Sequence, residues 1–244
     1  MTKVFILAAG FGTRLKNLTN EKPKALVSVN DKPMLQHLIL NLKAQGFNDF
    51  VINVHHFADQ IETFLKKNNH FNCNIQISDE RKKLLDTGGA LLHAKHLFSD
   101  TENILIHNVD IFSDINFQKL IEFHKKHKAI ATLNVHKRKS SRKLVFDKNM
   151  QLCKWKNNKT GEEKMVKNTK DTLSEFSFSG IHIINSKIFK NITETGKFSV
   201  IDLYLRLAQS EKIIAFESKS DFWFDLGKPE TLKQAENLIK NMQL

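Results

Sequence analysis

Two cysteines in 244 residues, Cys73 and Cys153, lie far apart and form no C-x-x-C pair. Neither a disulfide framework nor a zinc site follows from them. Long apolar runs are missing as well: 41% of the residues are hydrophobic, but they fall in short stretches, well below the roughly 20 consecutive apolar residues that span a bilayer. The N-terminus enters the strand-like "KVFILAA" without the charged start, apolar stretch and small-residue exit of a secretory signal, so a cytoplasmic protein with no membrane partner is expected. No internal repeat, low-complexity stretch or linker is visible. Acidic residues are few: 26 against 38 lysines and arginines leave a net charge of +12. That balance invites a polyanion reading. However, the lysines are scattered, and the densest patch, "HKRKSSRK" at 136–143, lacks the interleaved aromatics that stack on bases. A solvated hairpin edge is the plainer reading, and no nucleic-acid partner is expected.

Strand-like and helix-like segments alternate through the first half. "VFILAA", "DFVINVH" and "NILIHNVD" read as buried strands, each followed by helical spacing. In "KPMLQHLILNLKAQGF", Met34, Leu35, Leu38, Ile39 and Leu42 share one helix face and Gly46 marks the stop. This order predicts an α/β fold, a mostly parallel sheet with helices on both sides and ligands at the carboxyl ends of the strands. After about residue 130, "IATLNVHKRK", "KLVFDKNMQLCKW" and "EFSFSGIHII" are strand-like pieces joined by turn signals, which predicts a β-rich lobe. A last strand, "FWFDLG", leads through Pro229 into a closing helix, "ETLKQAENLIKNM". The expected organisation is one domain, 1–244, with a first half to 130, a lobe at 131–220 and a closing strand and helix at 221–244.

The turn after the first strand, "AAGFGTR", fits neither common glycine loop. A dinucleotide fingerprint needs a glycine where Leu15 stands, and a P-loop needs a glycine before its lysine where Leu15 precedes Lys16. What is left is a short G-x-G-T-R turn whose backbone N–H groups can line an anion. Arg14 adds a planar fork for phosphate and Lys24 a mobile point charge.

"LAAGFGTRLKNLTNEKPKALV" closely resembles the signature L-A-A-G-x-G-T-R-L-x-P-x-T-x-x-x-P-K-x-L of the sugar-phosphate nucleotidyltransferases, with Asn17 in place of the usual proline. The similarity continues. "LLDTGGAL" at 84–91 resembles the family's base-recognition segment, and "NVDIF" at 108–112 its metal-binding strand end with Val109 for glycine. "WFDLGKPETLKQAENLI" resembles the closing pattern with Lys228 for threonine. The resemblance implies a Rossmann-like three-layer nucleotidyltransferase fold with a sugar-binding lobe. It implies joining of a nucleoside monophosphate from an NTP to a sugar 1-phosphate with release of pyrophosphate.

It also implies roles. Arg14 and Lys24 would be catalytic, stabilising the triphosphate and holding the reacting phosphates. Leu7, Ala8, Ala9, Gly10, Gly12 and Thr13, with Asp86, Thr87 and Gly88, would bind the nucleotide. Asn108, Glu175 and Gly180 would face the acceptor, and Asp110 and Asp225 would hold Mg²⁺. Each has a plainer alternative: a turn cap for Asp110 and Asp225, a β-bulge for Gly180. Lys154 and Lys156 both fall near the family's lobe lysine. His55 and His56, read as adjacent strand residues, point to opposite faces and cannot share an ion. The acidic Asp86 before Thr87, and the lack of a hexapeptide-repeat tail, make the short uridylyltransferases that produce UDP-N-acetylmuramic acid in cell-wall recycling the nearest resemblance, with UTP as the nucleotide. Mannose-1-phosphate guanylyltransferases and phosphocholine cytidylyltransferases are neighbours. A non-catalytic sugar-nucleotide-binding module is the reading from another class. The oligomeric state is left open.

Overall fold

The structure is a computed structural model that describes residues 2–167 and 172–241. In chain order it comprises β1 (Thr2–Leu7), β2 (Ser28–Val29), β3 (Lys32–Pro33), α1 (Met34–Ala44), β4 (Asp49–Val54), α2 (Ala58–Lys67), β5 (Asn74–Asp79), α3 (Asp86–His93), β6 (Asn103–Asn108) and β7 (Ile111–Ser113). There follow α4 (Phe117–His127), β8 (Ala131–His136), β9 (Arg142–Phe146), β10 (Leu152–Asn157), β11 (Glu163–Met165), β12 (Ser174–Asn185), α5 (Val200–Leu207), β13 (Ile213–Glu217), β14 (Trp223–Asp225) and α6 (Pro229–Asn241). The chain divides into two compact units, both discontinuous. The first takes Thr2–Leu84, His107–Ile115 and the chain from Ser220 onwards; the second takes Leu85–Ile106 and Asn116–Lys219. Among the described residues no helix is long and apolar enough to cross a membrane.

The first unit is built on the parallel ladder β1-β4-β5, in which Leu7 pairs with Asn53 and Asn53 with Ser78. Val4, Phe5 and Ile6 on β1 and Phe50, Val51 and Ile52 on β4 are buried on both faces, as expected for parallel strands covered by crossover helices. The α1 face expected from spacing is the buried one, and Gly46 follows the helix with φ 90, a conformation that costs a glycine little. Two short strands, β7 and β14, pair antiparallel with Asp225 opposite Ile111. Behind them α6 buries Leu232, Ala235 and Ile239 against Leu15, Val27, Val29, Met34 and Leu226. The closing helix is therefore part of the core around the first glycine turn. The last residue of the expected closing helix, Met242, lies outside the described residues.

The second unit is β-rich, as the sequence texture implies. Strands β11, β10, β9 and β12 run antiparallel in that order; β8 pairs antiparallel with β12, and β13 pairs parallel with β8. One helix, α5, departs from the expectation of strands alone. Its stretch "VIDLYLRL" buries Val200, Leu203, Tyr204, Leu205 and Leu207, and so short an apolar run cannot be told from a strand by periodicity. Ser199 starts the helix by accepting a hydrogen bond from Ile201 N at 3.2 Å.

Two buried histidines make the fold acid-sensitive. Burial pushes the imidazoles of His107 and His124 down to about 4; the Nδ1 of His107 lies 2.8 Å from Asn108 O, and that of His124 lies 2.8 Å from Thr132 Oγ1. Between about pH 4 and 6.5 the unfolded chain binds protons at these sites that the folded chain does not, so stability rises with pH through that window and levels above it. The melting temperature should fall steadily from pH 6.5 to about 4, with roughly 3 kcal/mol lost at most for fully buried His107. A flat calorimetric profile over that range would contradict this.

Candidate functional site

At the end of β1 the chain turns through Ala8–Gly12, and its backbone hydrogen bonds divide sharply. Ala8 N and Ala9 N both donate to Asn53 Oδ1, at 2.6 and 3.3 Å, and Asn53 Nδ2 donates to Glu80 Oε1 at 2.8 Å. Leu7 is held in the ladder, and its carbonyl accepts from Val109 N at 3.1 Å. Among the described residues, the N–H groups of Gly10, Phe11, Gly12 and Thr13 have no protein acceptor. The anion-binding capacity expected of the whole turn therefore resides in Gly10–Thr13, whereas the Ala8 and Ala9 amides are spent on the fold. Gly12 is left-handed, φ 70, and a Cβ there would meet Lys24 Cβ and Thr19 Cγ2 at 2.9 Å. That close approach lays the start of the Lys24 side chain directly against the turn.

Four charged side chains of the first unit meet beside this turn. Arg14 makes a two-pronged contact with Asp225: Nη1 to Oδ2 at 3.0 Å and Nη2 to Oδ1 at 3.3 Å. It also lies 3.6 Å from Asp110 Oδ2. Lys24 Nζ bonds to the same Asp110 oxygen. Asp110 is nearly buried, its side chain 8% exposed, while Arg14 keeps 53% of its side chain in solvent. Burial works to raise the Asp225 carboxyl, but the Arg14 hydrogen bond and charge, with the Gly227 N–H, hold it below the usual carboxylate range. Burial likewise opposes the Arg14 charge, and Asp225 and Asp110 together raise its pKa nevertheless. The two carboxylates are brought together by backbone: Leu226 N donates to Asp110 O at 2.7 Å, and Gly227 N to Asp225 Oδ1 at 3.0 Å. A Cβ on Gly227 would sit 2.5 Å from Arg14 Nη2, 2.8 Å from Asp110 Oδ2 and 2.9 Å from Asp225 Oδ1. Gly227 thus leaves open a small space onto which both carboxylates converge.

His55 and His56 follow β4 rather than lie in it. Both rings approach exposed Phe11, with centroids at 5.3 and 5.7 Å, so the opposite-face argument for this pair does not apply.

In the second unit, Asp86, Thr87 and Gly88 open α3. Asp86 is left-handed, φ 60, and its carboxylate accepts from Thr87 N at 2.6 Å. Thr87 Oγ1 accepts from Val200 N at 2.9 Å, and Gly88 N donates to Phe198 O at 2.9 Å. A Cβ at Gly88 would collide with the Phe198 ring, and one at Gly89 with Gly196 O. These glycines let the 196–200 segment pack on α3, a structural reason for a stretch read as nucleobase contact. Gly180, φ 81, occupies a bulge where the β12–β8 register slips between Phe178 and His182. Glu175 pairs with Lys156, and Lys154 with Glu163 at 2.9 Å.

The second unit also holds a cavity of about 420 Å³ that sequence alone does not reveal. Arg138, Lys143, Trp155, Lys164, Phe178 and Asp202 are among its lining residues. Lys164 donates to Asp202 at 2.7 Å and lies 5.4 Å from the centre of the Trp155 ring. From the basic stretch 136–143, Lys143 is turned inward, donating to Arg138 O at 2.6 Å and Ser177 Oγ at 3.0 Å. The register of β9, β10 and β11 brings Lys143, Trp155 and Lys164 together, and β12 and α5 add Phe178 and Asp202.

The fold is that of the sugar nucleotidyltransferases. A crystal structure of HddC from Yersinia pseudotuberculosis matches with a TM-score of 0.80 at 25% identity, covering 98% of this chain and 100% of that one. A putative glucose-1-phosphate thymidylyltransferase from Bacillus anthracis matches with a TM-score of 0.79 at 19% identity, covering 99% and 96%. The chain belongs to the nucleotidyl transferase family, whose model matches residues 3–242. Among curated relatives, the mannose-1-phosphate guanyltransferase of Aspergillus fumigatus is 30% identical over 231 residues, 93% of this chain and 61% of that protein. The chain thus spans about three fifths of the length of the curated relatives it matches.

Gly227→Ala puts a methyl into the space shared by Arg14, Asp110 and Asp225. It should weaken binding of a Mg²⁺–nucleoside triphosphate, measured by calorimetry, at least about tenfold, or 1.4 kcal/mol, while the melting temperature stays within a few degrees. Unchanged affinity would mean that the carboxylates do not act from this space.

Proposed function

We propose that this chain transfers a nucleotidyl group, GTP being the favoured donor, to a sugar 1-phosphate and releases pyrophosphate. The observation that carries this reading is the meeting of Arg14 and Lys24 with Asp110 and Asp225 beside the four uncommitted amides of Gly10–Thr13. Nucleophile and electrophile are both anionic in such a reaction, so charge neutralisation and positioning are the main requirements. The amides and the Arg14 fork suit the triphosphate and the departing pyrophosphate, and Lys24 suits the reacting phosphates.

A divalent metal fits the site. Asp110 and Asp225 supply two hard oxygens converging on the Gly227 space, and among the described residues no cluster of three or more His, Cys, Asp and Glu exists that would complete an all-protein cage. Two carboxylates with the remaining positions left to water and phosphate are what Mg²⁺ prefers. When bound, it would neutralise phosphate charge and polarise the α-phosphorus. The carboxylates would hold it, and Arg14 and Lys24 would be released from them towards the phosphates. The acceptor's 1-phosphate oxygen would then attack the α-phosphorus in line, with pyrophosphate leaving on the far side.

GTP is preferred to the UTP suggested by "LLDTGG". The Aspergillus relative is a mannose-1-phosphate guanyltransferase, and a relative in Xenopus tropicalis, 27% identical, is a mannose-1-phosphate guanylyltransferase catalytic subunit beta. The segment that pointed to UTP has its Thr87 hydroxyl and Gly88 amide engaged with residues 198–200, which weakens its value as a base signal.

Pyrophosphate release with Mg²⁺ is the test, run across GTP, UTP, CTP, ATP and dTTP, each with mannose, glucose and N-acetylmuramic acid 1-phosphates. Activity with GTP and mannose 1-phosphate is expected; turnover only with UTP would replace the donor, and none with any pair would leave a binding module. Asp110→Asn and Asp225→Asn should each lower Mg²⁺-dependent turnover by at least about a thousandfold, or 4 kcal/mol, without unfolding the protein. A near-normal rate in either would remove that residue from the metal site.

A further inference from the structure

Asn53 is 3% exposed and sits at the fifth position of β4, paired with Leu7 on one side and Ser78 on the other. Its side-chain oxygen takes two backbone amides of the glycine turn, and its side-chain nitrogen is taken by Glu80, also 3% exposed. Because the oxygen faces two donors and the nitrogen faces a carboxylate, the amide orientation is unambiguous. Glu80 follows β5, and its own N–H donates to Val54 O at 2.8 Å, so the carboxylate is anchored to the sheet. A buried amide polarised by a carboxylate is a stronger acceptor at its oxygen.

The consequence is directional. Successive amides in a turn cannot all point outward unless something fixes where the outward run begins. By drawing Ala8 N and Ala9 N inward, Asn53 begins that run at Gly10.

We propose that Asn53, held by Glu80, is the positioning residue of the phosphate-binding turn: it sets the orientation in which the amides of Gly10, Phe11, Gly12 and Thr13 are available to an anion. This rests on the functional reading above for the identity of the anion, but not for the ordering of the turn. The side-chain hydrogen bonds of Asn53 go to Ala8 N, Ala9 N and Glu80 rather than to Arg14, Lys24, Asp110 or Asp225, so its effect on the turn is carried by backbone.

Amide hydrogen exchange on the full chain tests the ordering. In the wild type, the Ala8 and Ala9 amides should be protected and those of Gly10–Thr13 should exchange fast, gaining protection when Mg²⁺–GTP is added. Asn53→Leu keeps the volume and removes both hydrogen-bonding ends. It should speed exchange at Ala8 and Ala9 at least about tenfold, corresponding to one lost buried hydrogen bond, with exchange in α6 unchanged. The KM for the nucleoside triphosphate should rise about tenfold while that for the sugar 1-phosphate moves less than twofold. Glu80→Gln in the otherwise wild-type chain, which retains an oxygen for Asn53 Nδ2, should keep most of the wild-type behaviour.

If Asn53→Leu does not fold, the wild-type exchange pattern decides the matter. Unprotected Ala8 and Ala9 amides in the wild type would overturn the proposal. So would equal changes in both KM values, or a folded Asn53→Leu with unchanged exchange at 8–13. If no nucleotide binds by calorimetry, the enzymatic reading fails, and exchange at Ala8 and Ala9 in the variant still tests the positioning role.

Discussion

Two carboxylates held close to one another in a partly buried place repel, and the first unit is arranged around relieving that repulsion. Asp110 ends the segment after β6 and Asp225 ends β14; the β7–β14 pairing and the Leu226-to-Asp110 hydrogen bond force them together. Lys24 on one and Arg14 on both supply the compensating charge, and desolvation makes each contact count for more than it would in water. Much of the local architecture follows from this. Gly12 lets the Lys24 side chain pass close against the turn, Gly227 leaves space between the carboxylates, and α6 packs on Leu15, directly after Arg14.

The same four charges suit the unit for exchange of partners. Each carboxylate is paired with a cation that is also a phosphate ligand in chemical character, so a metal–triphosphate complex offers every group a new counter-charge at once. A bound Mg²⁺ would balance the two carboxylates, and Arg14 and Lys24 would offset part of the triphosphate charge, which limits the desolvation cost of such an exchange.

Backbone accounting separates two kinds of glycine in this chain. In "AAGFGTR" the glycines accompany amides that have no acceptor among the described residues, the state expected of an anion-binding turn. In "DTGG" the glycines accompany amides already bonded to Phe198 O and permit a close approach of protein to protein. A motif comparison treats the two stretches alike, because glycine is common to both. The second unit's cavity, with its Trp155 wall and its lysines and arginines, arises from the β9–β10–β11 register together with Phe178 on β12 and Asp202 on α5.

By itself the sequence determined the α/β class, the buried face of α1, the stop at Gly46, the start of the closing helix at Pro229 and the identity of the four charged residues, since periodicity and residue chemistry are local properties. It also placed strands after residue 130, though it hid α5, whose apolar run is too short to carry a period. Tertiary structure alone decided which amides of the glycine turn are open, because Asn53 and Glu80 lie 45 and 72 positions from Ala8 and meet it only through the β1-β4-β5 register. It also decided that Thr87 Oγ1 accepts from Val200 N and Gly88 N donates to Phe198 O, that Glu175 is paired with Lys156, and that His55 and His56 share a neighbour in Phe11. In each case the deciding contact joins residues far apart in the chain, and no local pattern encodes it.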